Sequence, residues 1–464
     1  MLQSMMFLLW SFLVICLCYV AWWKHESYKT NKLVREQGIK GPPPSLLLGN
    51  IPEMERMVSQ NSETPQIDGP LIVLPYLKHW TKNYVFINIR FALGGIQLLY
   101  VNNLSIVREI NIFTSFELGK PAYLQNDRGV LLGKGLNTAN GDVWYHQRKT
   151  IAPQLYMNKD MVNLKVESGS MLVKAWEKII DREGEGGMVD IVVDEHVRIF
   201  TTYIASKIIF GSDHHKGIKV FPEFLPIERN RKTWRLAKEI HEMIMDIAKE
   251  RSGSTSHQDL LQAIIEGSKN GELGELTEDE FIVDNCKNMI FGGYQSPAVA
   301  AIWGLMLLAS HPEWQDRARK MKVLKMVIQE VLRLYPGVTL VSREAMQNVK
   351  LGELKVPKGM DIWIWLPALH RNPEYWGADA DVFNPERFTN GVAGACKSSQ
   401  AYIPFGLGAR VCPGRNLALI ELKVFFAVIL SNFKLTISPK YRHSPTYGLL
   451  LEPEHGVNLL IQKI

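Results

Sequence analysis

A ten-residue segment near the carboxyl end has the composition of a loop that holds a thiolate against an iron centre. Its residues are Phe405-Gly406-Leu407-Gly408-Ala409-Arg410-Val411-Cys412-Pro413-Gly414. Glycine lets the backbone approach a metal plane closely, and N–H groups directed at the sulfur spread its charge and tune its potential. Arg410 can pair with an acidic group of a cofactor, and Phe405 can shield the sulfur. A glycine-rich loop with one cysteine is a weak signal, but the whole pattern is restrictive, and it predicts Cys412 as a metal ligand.

The composition excludes several other classes of protein. The five cysteines show no repeated spacing and no CxxC pair, which argues against a disulfide-stapled secreted fold and against a structural zinc site. The formal net charge of +6 is spread along 464 residues, without the dense Lys/Arg run of a nucleic-acid binder. Apolar residues make up 46% of the chain, so a large core can form.

Charged residues upstream of the loop form a second pattern. Glu330 and Arg333 lie three residues apart, which places them on one face of a helix where they can form an ion pair. Arg387 follows within Pro385-Glu386-Arg387-Phe388. The alternative is an exposed helix ion pair, which would contribute little to stability.

The ten-residue segment matches the haem-binding signature of the cytochrome P-450 family, Phe-x-x-Gly-x-Arg-x-Cys-x-Gly, at every fixed position. The resemblance implies that Cys412 is the axial thiolate of haem b, which pushes electron density onto the iron and favours O–O cleavage. It also implies that Phe405, Arg410 and Gly414 contribute to haem binding, with Arg410 on a propionate.

Further family motifs occur in the family's order. Trp144 and Arg148 resemble the Trp-x-x-x-Arg helix that contacts a haem propionate, and Arg343 resembles another propionate-binding arginine. A structural triad of the family is matched by Glu330, Arg333 and Arg387. The resemblance covers nearly the whole chain and implies a mostly α fold with small β-sheets.

Two other segments resemble a clan of plant enzymes, the gibberellin-modifying, elongated-uppermost-internode-like proteins. They are His311-Pro312-Glu313-Trp314-Gln315-Asp316 and Tyr447-Gly448-Leu449-Leu450-Leu451. The resemblance implies a monooxygenase that inserts one oxygen atom from O2 into a hydrophobic small molecule, for example a plant terpenoid such as a gibberellin. Electrons would come from NADPH through NADPH-cytochrome P-450 reductase.

The segment that corresponds to the family's oxygen-activation motif departs from it. The family usually has Ala/Gly-Gly-x-Asp/Glu-Thr-Thr/Ser, where an acid and an alcohol relay protons; here the residues are Gly292-Gly293-Tyr294-Gln295-Ser296-Pro297. Gln295 cannot exchange a proton at neutral pH, Ser296 keeps a hydroxyl, and Pro297 predicts a kink. We assign Gln295 and Ser296 as catalytic positions. The alternatives are core packing at these residues, and a haem protein that is degenerate or does not hydroxylate.

One long helix should carry this segment. Thr277 and Glu280 form a capping-box pattern, and the helical pattern continues through Ser310. Its apolar second half, Ala298–Ala309, is too short to span a bilayer and should lie in the core. Compared with the family, the chain is compressed between Gly211 and Trp234 and between Pro297 and Glu330. The resemblance implies that the first of these regions roofs the substrate pocket.

Shorter elements can also be assigned from composition. Strands are predicted at Val85–Arg90 and Ile96–Val101, and a helix should begin within Asp142–Leu155. Loops rich in Gly, Ser or charge are predicted at Glu183–Gly187, Ser252–His257 and Glu266–Gly274.

The amino terminus has the pattern of a membrane anchor. Met5–Trp23 contains one Ser and no charge, close to the ~20 apolar residues of a spanning helix. A cleaved signal peptide or a buried core helix are the alternatives, but no basic residue precedes the apolar run, Trp22–Trp23 close it, and five basic residues follow by position 40.

The predicted organisation has three parts. Residues 1–23 form an N-terminal transmembrane helix, residues 24–64 a basic and Pro-rich hinge containing Gly41–Pro44, and residues 65–464 one haem-binding catalytic domain. Positive charge after the span holds that side in the cytosol. We therefore expect a single-pass protein of the endoplasmic reticulum membrane whose catalytic domain faces the cytosol.

Overall fold

The structure of the chain is a computed structural model. It describes residues 32–61, 71, 73–84, 88–114, 116–156, 159–211, 231–251 and 259–464, together with six isolated positions before residue 19. The chain forms two compact units, the first comprising Met1–Pro65, Leu74–Gly119 and Ser342–Trp365, and the second Gln66–Val73, Lys120–Val341 and Leu366–Ile464. The boundaries of anchor, hinge and catalytic domain that the sequence suggests stay a prediction.

Helices account for most of the described residues. In chain order they are α1 (Ile51–Asn61), α2 (Pro75–Tyr84), α3 (Leu104–Ile110), α4 (Tyr123–Leu132), α5 (Gly141–Ile151), α6 (Lys159–Glu183), α7 (Asp194–Phe210), α8 (Arg231–Arg251), α9 (Leu260–Lys269), α10 (Glu278–Ile290), α11 (Ser296–Ser310), α12 (Pro312–Arg319), α13 (Leu324–Leu334), α14 (Leu366–His370), α15 (Pro373–Trp376), α16 (Gly391–Ala395) and α17 (Arg415–Asn432).

The strands are short and form small sheets. They are β1 (Asn88–Leu93), β2 (Ile96–Val101), β3 (Leu118–Gly119), β4 (Met188–Val192), β5 (Leu340–Ala345), β6 (Val349–Leu351), β7 (Leu354–Val356), β8 (Asp361–Trp365), β9 (Phe433–Ile437), β10 (Pro445–Tyr447), β11 (Leu451–Pro453) and β12 (Asn458–Lys463). The mostly α fold with small β-sheets that the sequence predicts is confirmed.

The first unit is built on a five-stranded sheet with the order β1-β2-β8-β5-β3. β1 and β2 form an antiparallel hairpin in which Asn88 pairs with Val101, and β8 joins β2 in parallel. All five residues of β8 are buried, as expected for a strand covered on both faces.

The second unit is a helical core with sheets at its edge. α11 is buried along its whole length from Pro297 to Ala309 and packs with α6, α7, α13 and α17 in one apolar cluster. A three-stranded antiparallel sheet has the order β4-β12-β9, and β10 and β11 form a separate hairpin. The prediction that the second half of the long helix lies in the core is therefore correct.

The long helix differs from the expectation at Pro297. Thr277 and Glu280 form the predicted capping box, but a π-helical turn, Phe291–Gln295, separates α10 from α11 where a simple kink was expected. Hydrogen bonds in a π-helical turn join residues five apart instead of four. We attribute the turn to Pro297, whose missing N–H and ring cannot be accommodated by a regular α-helical turn.

Several predicted boundaries need correction. The first strand continues to Leu93, beyond the predicted end at Arg90, and the predicted residues 85–87 lie outside the described residues; the second strand has the predicted bounds. The loop expected from Glu266 begins only after Lys269, because α9 continues to that residue. Gly267 does not interrupt α9: a Cβ there would lie 2.7 Å from Thr150, so the glycine serves close packing against α5.

Other predictions have a more limited outcome. A helix does begin within Asp142–Leu155, since α5 starts at Gly141 and continues through it, and α6 ends at Glu183 before a turn. The loop Ser252–His257 lies outside the described residues, as do residues 212–230 of the compressed region. Only isolated positions of the predicted anchor, Met5–Trp23, are described. Within the described part of the chain, one helix is long and apolar enough to cross a membrane, Glu278–Ser310, and it is mostly buried.

Candidate functional site

The loop that carries Cys412 is closed by its own backbone. The Cys412 N–H donates to the Phe405 carbonyl at 2.9 Å, and the Val411 N–H donates to the Gly408 carbonyl at 3.0 Å. Gly406 and Gly408 have φ values of 74° and 66°, a left-handed conformation that side chains disfavour. The glycines of the motif thus shape a tight loop that delivers the cysteine to the start of α17.

Cys412 is exposed to solvent, and the protein around it still acts on its thiol. Burial raises the pKa of its thiol, while the Gly414 N–H, which hydrogen-bonds the thiol, and the Arg148 and Arg415 cations act in the opposite direction. The residue nevertheless remains exposed to solvent. The sulfur is thus reachable and lies among protein donors, as a cofactor ligand must be. An N–H donor and two cations would stabilise a bound thiolate.

Trp144 and Arg410 are brought together beside this loop. Trp144 is buried on α5, and the Arg410 guanidinium lies 4.5 Å from the centroid of its ring. Arg410 also donates to the Ala139 carbonyl at 2.9 Å and to the Asn140 side chain at 2.7 Å. The cation is therefore held at the amino end of α5, over the indole ring.

Arg148 joins α5 to the cysteine loop directly. Its Nη1 donates to the Val411 carbonyl at 2.6 Å, one residue before Cys412. Burial lowers the pKa of Arg148, and the nearby Cys412 thiol acts in the opposite direction. Trp144, Arg148, Arg410 and Cys412 thus form one cluster in the second unit.

Glu330, Arg333 and Arg387 meet in a largely buried ion-pair network. The Glu330 and Arg333 side chains have no exposed surface and are joined at 2.7 Å, and Arg387 Nε reaches Glu330 at 3.1 Å. The Asn384 N–H also donates to Glu330, at 2.9 Å. The alternative of an exposed helix ion pair does not describe this geometry.

His370, which sequence reasoning missed, connects this network to the cysteine loop. The Ile403 N–H donates to His370 Nε2 at 3.1 Å, so the ring proton is on Nδ1, which donates to the Arg333 carbonyl at 3.2 Å. Burial and the Arg333 cation lower the pKa of His370 to about 3, so the ring is neutral. The sequence around it, Leu366–Leu369, is only an apolar run and gave no signal of this role.

The two positions assigned from the oxygen-activation motif are adjacent on the long helix. Gln295 ends the π-helical turn and is 5% exposed, and Ser296, partly buried, begins α11. The Gln295 amide donates to Glu452 Oε1 at 3.1 Å, and Arg198 Nη2 reaches the same oxygen at 3.2 Å. Neither partner was identified from the sequence.

Arg343 is the one candidate residue in the first unit. It lies on β5, is buried, and donates to the Ser342 carbonyl at 2.8 Å. Burial lowers the pKa of its guanidinium to about 10. A buried cation of this kind suits an anionic partner, and its assignment to a propionate stays a prediction.

Comparison with known proteins decides the family. A family model described as "Cytochrome P450" matches residues 79–225 and 208–460. The chain belongs to the cytochrome P450 family. In this family the iron of a bound haem is ligated by a cysteine thiolate, and a redox partner supplies the electrons. The chain is thus a P450 monooxygenase, an oxidoreductase that acts on hydrophobic substrates. The two parts of the match overlap at residues 208–225, which include the start of the region between Gly211 and Trp234 that the sequence suggests is compressed.

Relatives in plants match nearly the whole chain. Cytochrome P450 714C2 from Oryza sativa subsp. japonica is 41% identical, with 96% of this chain and 95% of the relative covered. Cytochrome P450 714B3 from Zea mays is 38% identical, with 92% and 90% covered, and cytochrome P450 714A2 from Arabidopsis thaliana is 37% identical, with 93% of both covered. The first alignment spans 500 positions, more than the 464 residues of this chain, so the relative contains residues that this P450 lacks.

The described residues fit a haem at Cys412. The cysteine is accessible, carries an N–H donor on its sulfur, and lies beside three arginines, Arg148, Arg410 and Arg415, of which two act on the pKa of its thiol. Trp144 adds an apolar wall. A haem needs this combination, because its iron takes a thiolate while its propionates take cations.

Proposed function

We propose that this P450 hydroxylates a hydrophobic plant terpenoid such as a gibberellin, using electrons from NADPH delivered by NADPH-cytochrome P-450 reductase. The accessible Cys412 thiol within its closed loop carries the proposal, because it is the feature on which the family's chemistry depends. The plant relatives support a plant substrate class. The resemblance of Tyr447–Leu451 to the gibberellin-modifying clan supports the choice among terpenoids.

Each part of the site has a distinct task in this proposal. Haem, when bound, supplies the iron centre that activates dioxygen. Cys412 ligates the iron, and the Gly414 N–H stabilises the thiolate charge. Arg148, Arg410 and Trp144 bind the propionate edge, and Arg343 is proposed as a further propionate ligand on its family motif alone. Phe405 shields the sulfur, while Glu330, Arg333 and Arg387 hold the fold around the site.

We further propose that the protein is anchored in the endoplasmic reticulum membrane through Met5–Trp23, with the catalytic domain in the cytosol. Support comes from the length of the uncharged segment and from the basic residues that follow it. A cytosolic orientation would bring the catalytic domain to the same side as a membrane-bound reductase.

The alternative of a haem protein that is degenerate or does not hydroxylate is not favoured. Its main support was the altered motif at Gln295 and Pro297, together with the compressed pocket roof. Relatives that cover more than nine-tenths of the chain argue for the ordinary activity of the family. The π-helical turn before Pro297 accommodates the proline, and the helix continues beyond it.

A binding screen with a matched turnover assay tests the proposal. The full-length, haem-loaded protein would be titrated with plant diterpenoids and triterpenoids while the haem difference spectrum is recorded. Each binder would then be incubated with reductase and NADPH, and the products would be analysed by mass spectrometry. We expect a diterpenoid acid to give a saturable spectral change and a product heavier by one oxygen atom. A saturable binder with no oxygenated product would favour the non-hydroxylating alternative.

A further inference from the structure

The acid that the family places at residue 295 is absent here, but a carboxylate lies in contact with that residue. We propose that Glu452, on β11, supplies the carboxylate that Gln295 lacks, so that the acid of the oxygen-activation segment comes from the β10–β11 hairpin. This inference rests on the proposed function and deepens it, because it concerns proton supply to the same site.

Glu452 is shared by two donors from different elements. Its Oε1 accepts from Gln295 Nε2 at 3.1 Å and from Arg198 Nη2, on α7, at 3.2 Å. A carboxylate only accepts hydrogen bonds, so the contact determines the orientation of the Gln295 amide. The NH2 branch faces Glu452, and the carbonyl oxygen remains as an acceptor on the other branch.

The three side chains differ in their access to solvent. The Glu452 side chain is 29% exposed and the Arg198 side chain 22% exposed, whereas Gln295 is 5% exposed. Glu452 can therefore exchange protons with bulk water while it contacts a residue inside the long helix. That placement, with one end in water and one end at the segment, is what a proton-supplying acid needs.

The charge around this contact suits one carboxylate and not two. A glutamate at 295 would place a second negative charge about 3 Å from Glu452, with Arg198 as the shared cation, and two such carboxylates cannot both ionise easily. Asp194, one helical turn before Arg198, is already affected: burial raises the pKa of its carboxyl, and Glu452 adds to the increase. An amide at 295 is therefore the residue that accommodates Glu452.

Glu452 contacts Gln295 and not the reacting atoms, so it is a positioning residue. It keeps the Gln295 amide in one orientation and holds a negative charge beside the oxygen-activation segment. In each cycle Glu452 would take a proton from solvent and pass it to a water molecule on the Ser296 side, because the Gln295 amide that it contacts cannot carry a proton, and it would so return to the carboxylate from which it started. Ser296, next in the chain, keeps the hydroxyl of the segment.

Four variants of the full-length, haem-loaded protein test this assignment. Glu452→Gln removes the carboxylate, and Gln295→Glu places two carboxylates side by side. The double variant Gln295→Glu/Glu452→Gln has one carboxylate again, at position 295 instead of 452. Glu454→Gln is the matched control, since Glu454 lies two residues further on, is 53% exposed and bonds Ser444 instead of Gln295.

Three measurements separate proton supply from structural damage. Product formed per NADPH consumed is determined with reductase and the diterpenoid acid that binds best. Product formed with an organic hydroperoxide is determined without reductase. A hydroperoxide already carries its oxygen at the peroxide level, so it needs neither the electrons from the reductase nor the protons that Glu452 would supply. The thermal midpoint of unfolding of each variant reports the charge arrangement independently of turnover.

If Glu452 is the acid, Glu452→Gln lowers product per NADPH by about tenfold or more and leaves hydroperoxide-driven product unchanged. The double variant should recover to within about threefold of the native value, and Glu454→Gln should match the native protein. Gln295→Glu should unfold about 1–3 °C below the double variant, because its two carboxylates repel each other.

Two results would overturn the inference: unchanged product per NADPH in Glu452→Gln, or a double variant that stays uncoupled while its hydroperoxide-driven product is normal. A native protein that fails with both oxidants would instead contradict the proposed function. In that case the thermal midpoints still test whether the contact accommodates one carboxylate and not two. Equal midpoints for Gln295→Glu and the double variant would overturn that arrangement, and a lower midpoint for Gln295→Glu would support it.

Discussion

Removing the Glu330 carboxylate should be one of the most damaging single changes in the second unit. Glu330 has no exposed surface, and it accepts from Arg333 Nε at 2.7 Å, Arg333 Nη2 at 2.8 Å, Arg387 Nε at 3.1 Å and the Asn384 N–H at 2.9 Å. In Glu330→Ala, buried donors of both arginines lose their acceptor. Breaking a buried pair from one side costs about 3–5 kcal/mol, and we expect the free energy of unfolding to fall by that amount.

Of the two arginines, Arg333 should be affected more by the loss of the Glu330 carboxylate. Arg387 keeps Asp379, with which it is joined at 2.9 Å. Arg333 keeps backbone carbonyls, including that of His370 at 2.8 Å, and the Trp376 ring, whose centroid lies 5.0 Å from its guanidinium carbon. Because His370 also holds the Ile403 N–H, the damage should extend to the cysteine loop. We therefore expect a low yield of haem-loaded protein in addition to the loss of stability.

Denaturant unfolding of the native protein and two variants measures the effect. Glu386→Ala is the matched control: Glu386 pairs with Arg317 at 2.8 Å, but the side chains are 59% and 44% exposed, and exposed pairs contribute roughly 0–1 kcal/mol. The haem content of each preparation would be recorded from its absorption spectrum. If Glu330→Ala behaved like Glu386→Ala in both measurements, the burial argument would be refuted.

Three further predictions concern the haem and the first unit. Cys412→Ser should abolish the thiolate-type absorption band of the ferrous carbonyl complex, whereas Cys286→Ser, within α10, should retain it; a surviving band in the first variant would make the ligand assignment wrong. Arg148→Ala removes the contact with Val411 and should weaken haem retention by about 10–100-fold, measured as haem transfer to apomyoglobin, with no change in rate counting against its role. Burial and the charge of Glu344 raise the pKa of the Asp361 carboxyl to about 8, far above an unfolded value of about 3.9, so the folded state keeps a proton between these limits and loses stability as pH rises through them. Asp361→Asn should therefore raise the thermal midpoint at pH 9 and leave it nearly unchanged at pH 4, and equal shifts at both pH values would contradict the assignment.

The features that could be predicted from the sequence are those whose interacting residues lie close together in the chain. The cysteine loop could be recognised because its turn residues and its cysteine lie in one stretch, with the Cys412–Phe405 hydrogen bond spanning only seven positions. The capping box at Thr277 and Glu280 was predictable for the same reason. Composition and helical periodicity were sufficient for the buried second half of the long helix.

The features that sequence reasoning missed depend on distant partners. Glu452 is 157 positions from Gln295, and His370 is 33 positions from Ile403, with no local pattern that joins them. Gly267 was interpreted as a loop residue because nothing nearby reveals that Thr150 packs against it. The π-helical turn needed both a proline and the packing around it, and only the proline is visible in the sequence.

The contact between Arg148 and Val411 joins two parts of the chain that are 263 positions apart. At a synthesis rate of about 5–20 residues per second, roughly 13–50 s pass between the appearance of the two residues. During that interval the helix with Trp144 and Arg148 is present on the ribosome without the loop that completes its site. We therefore expect haem capture only after the loop has been synthesised, so a nascent chain that stalls within this interval should lack a competent site.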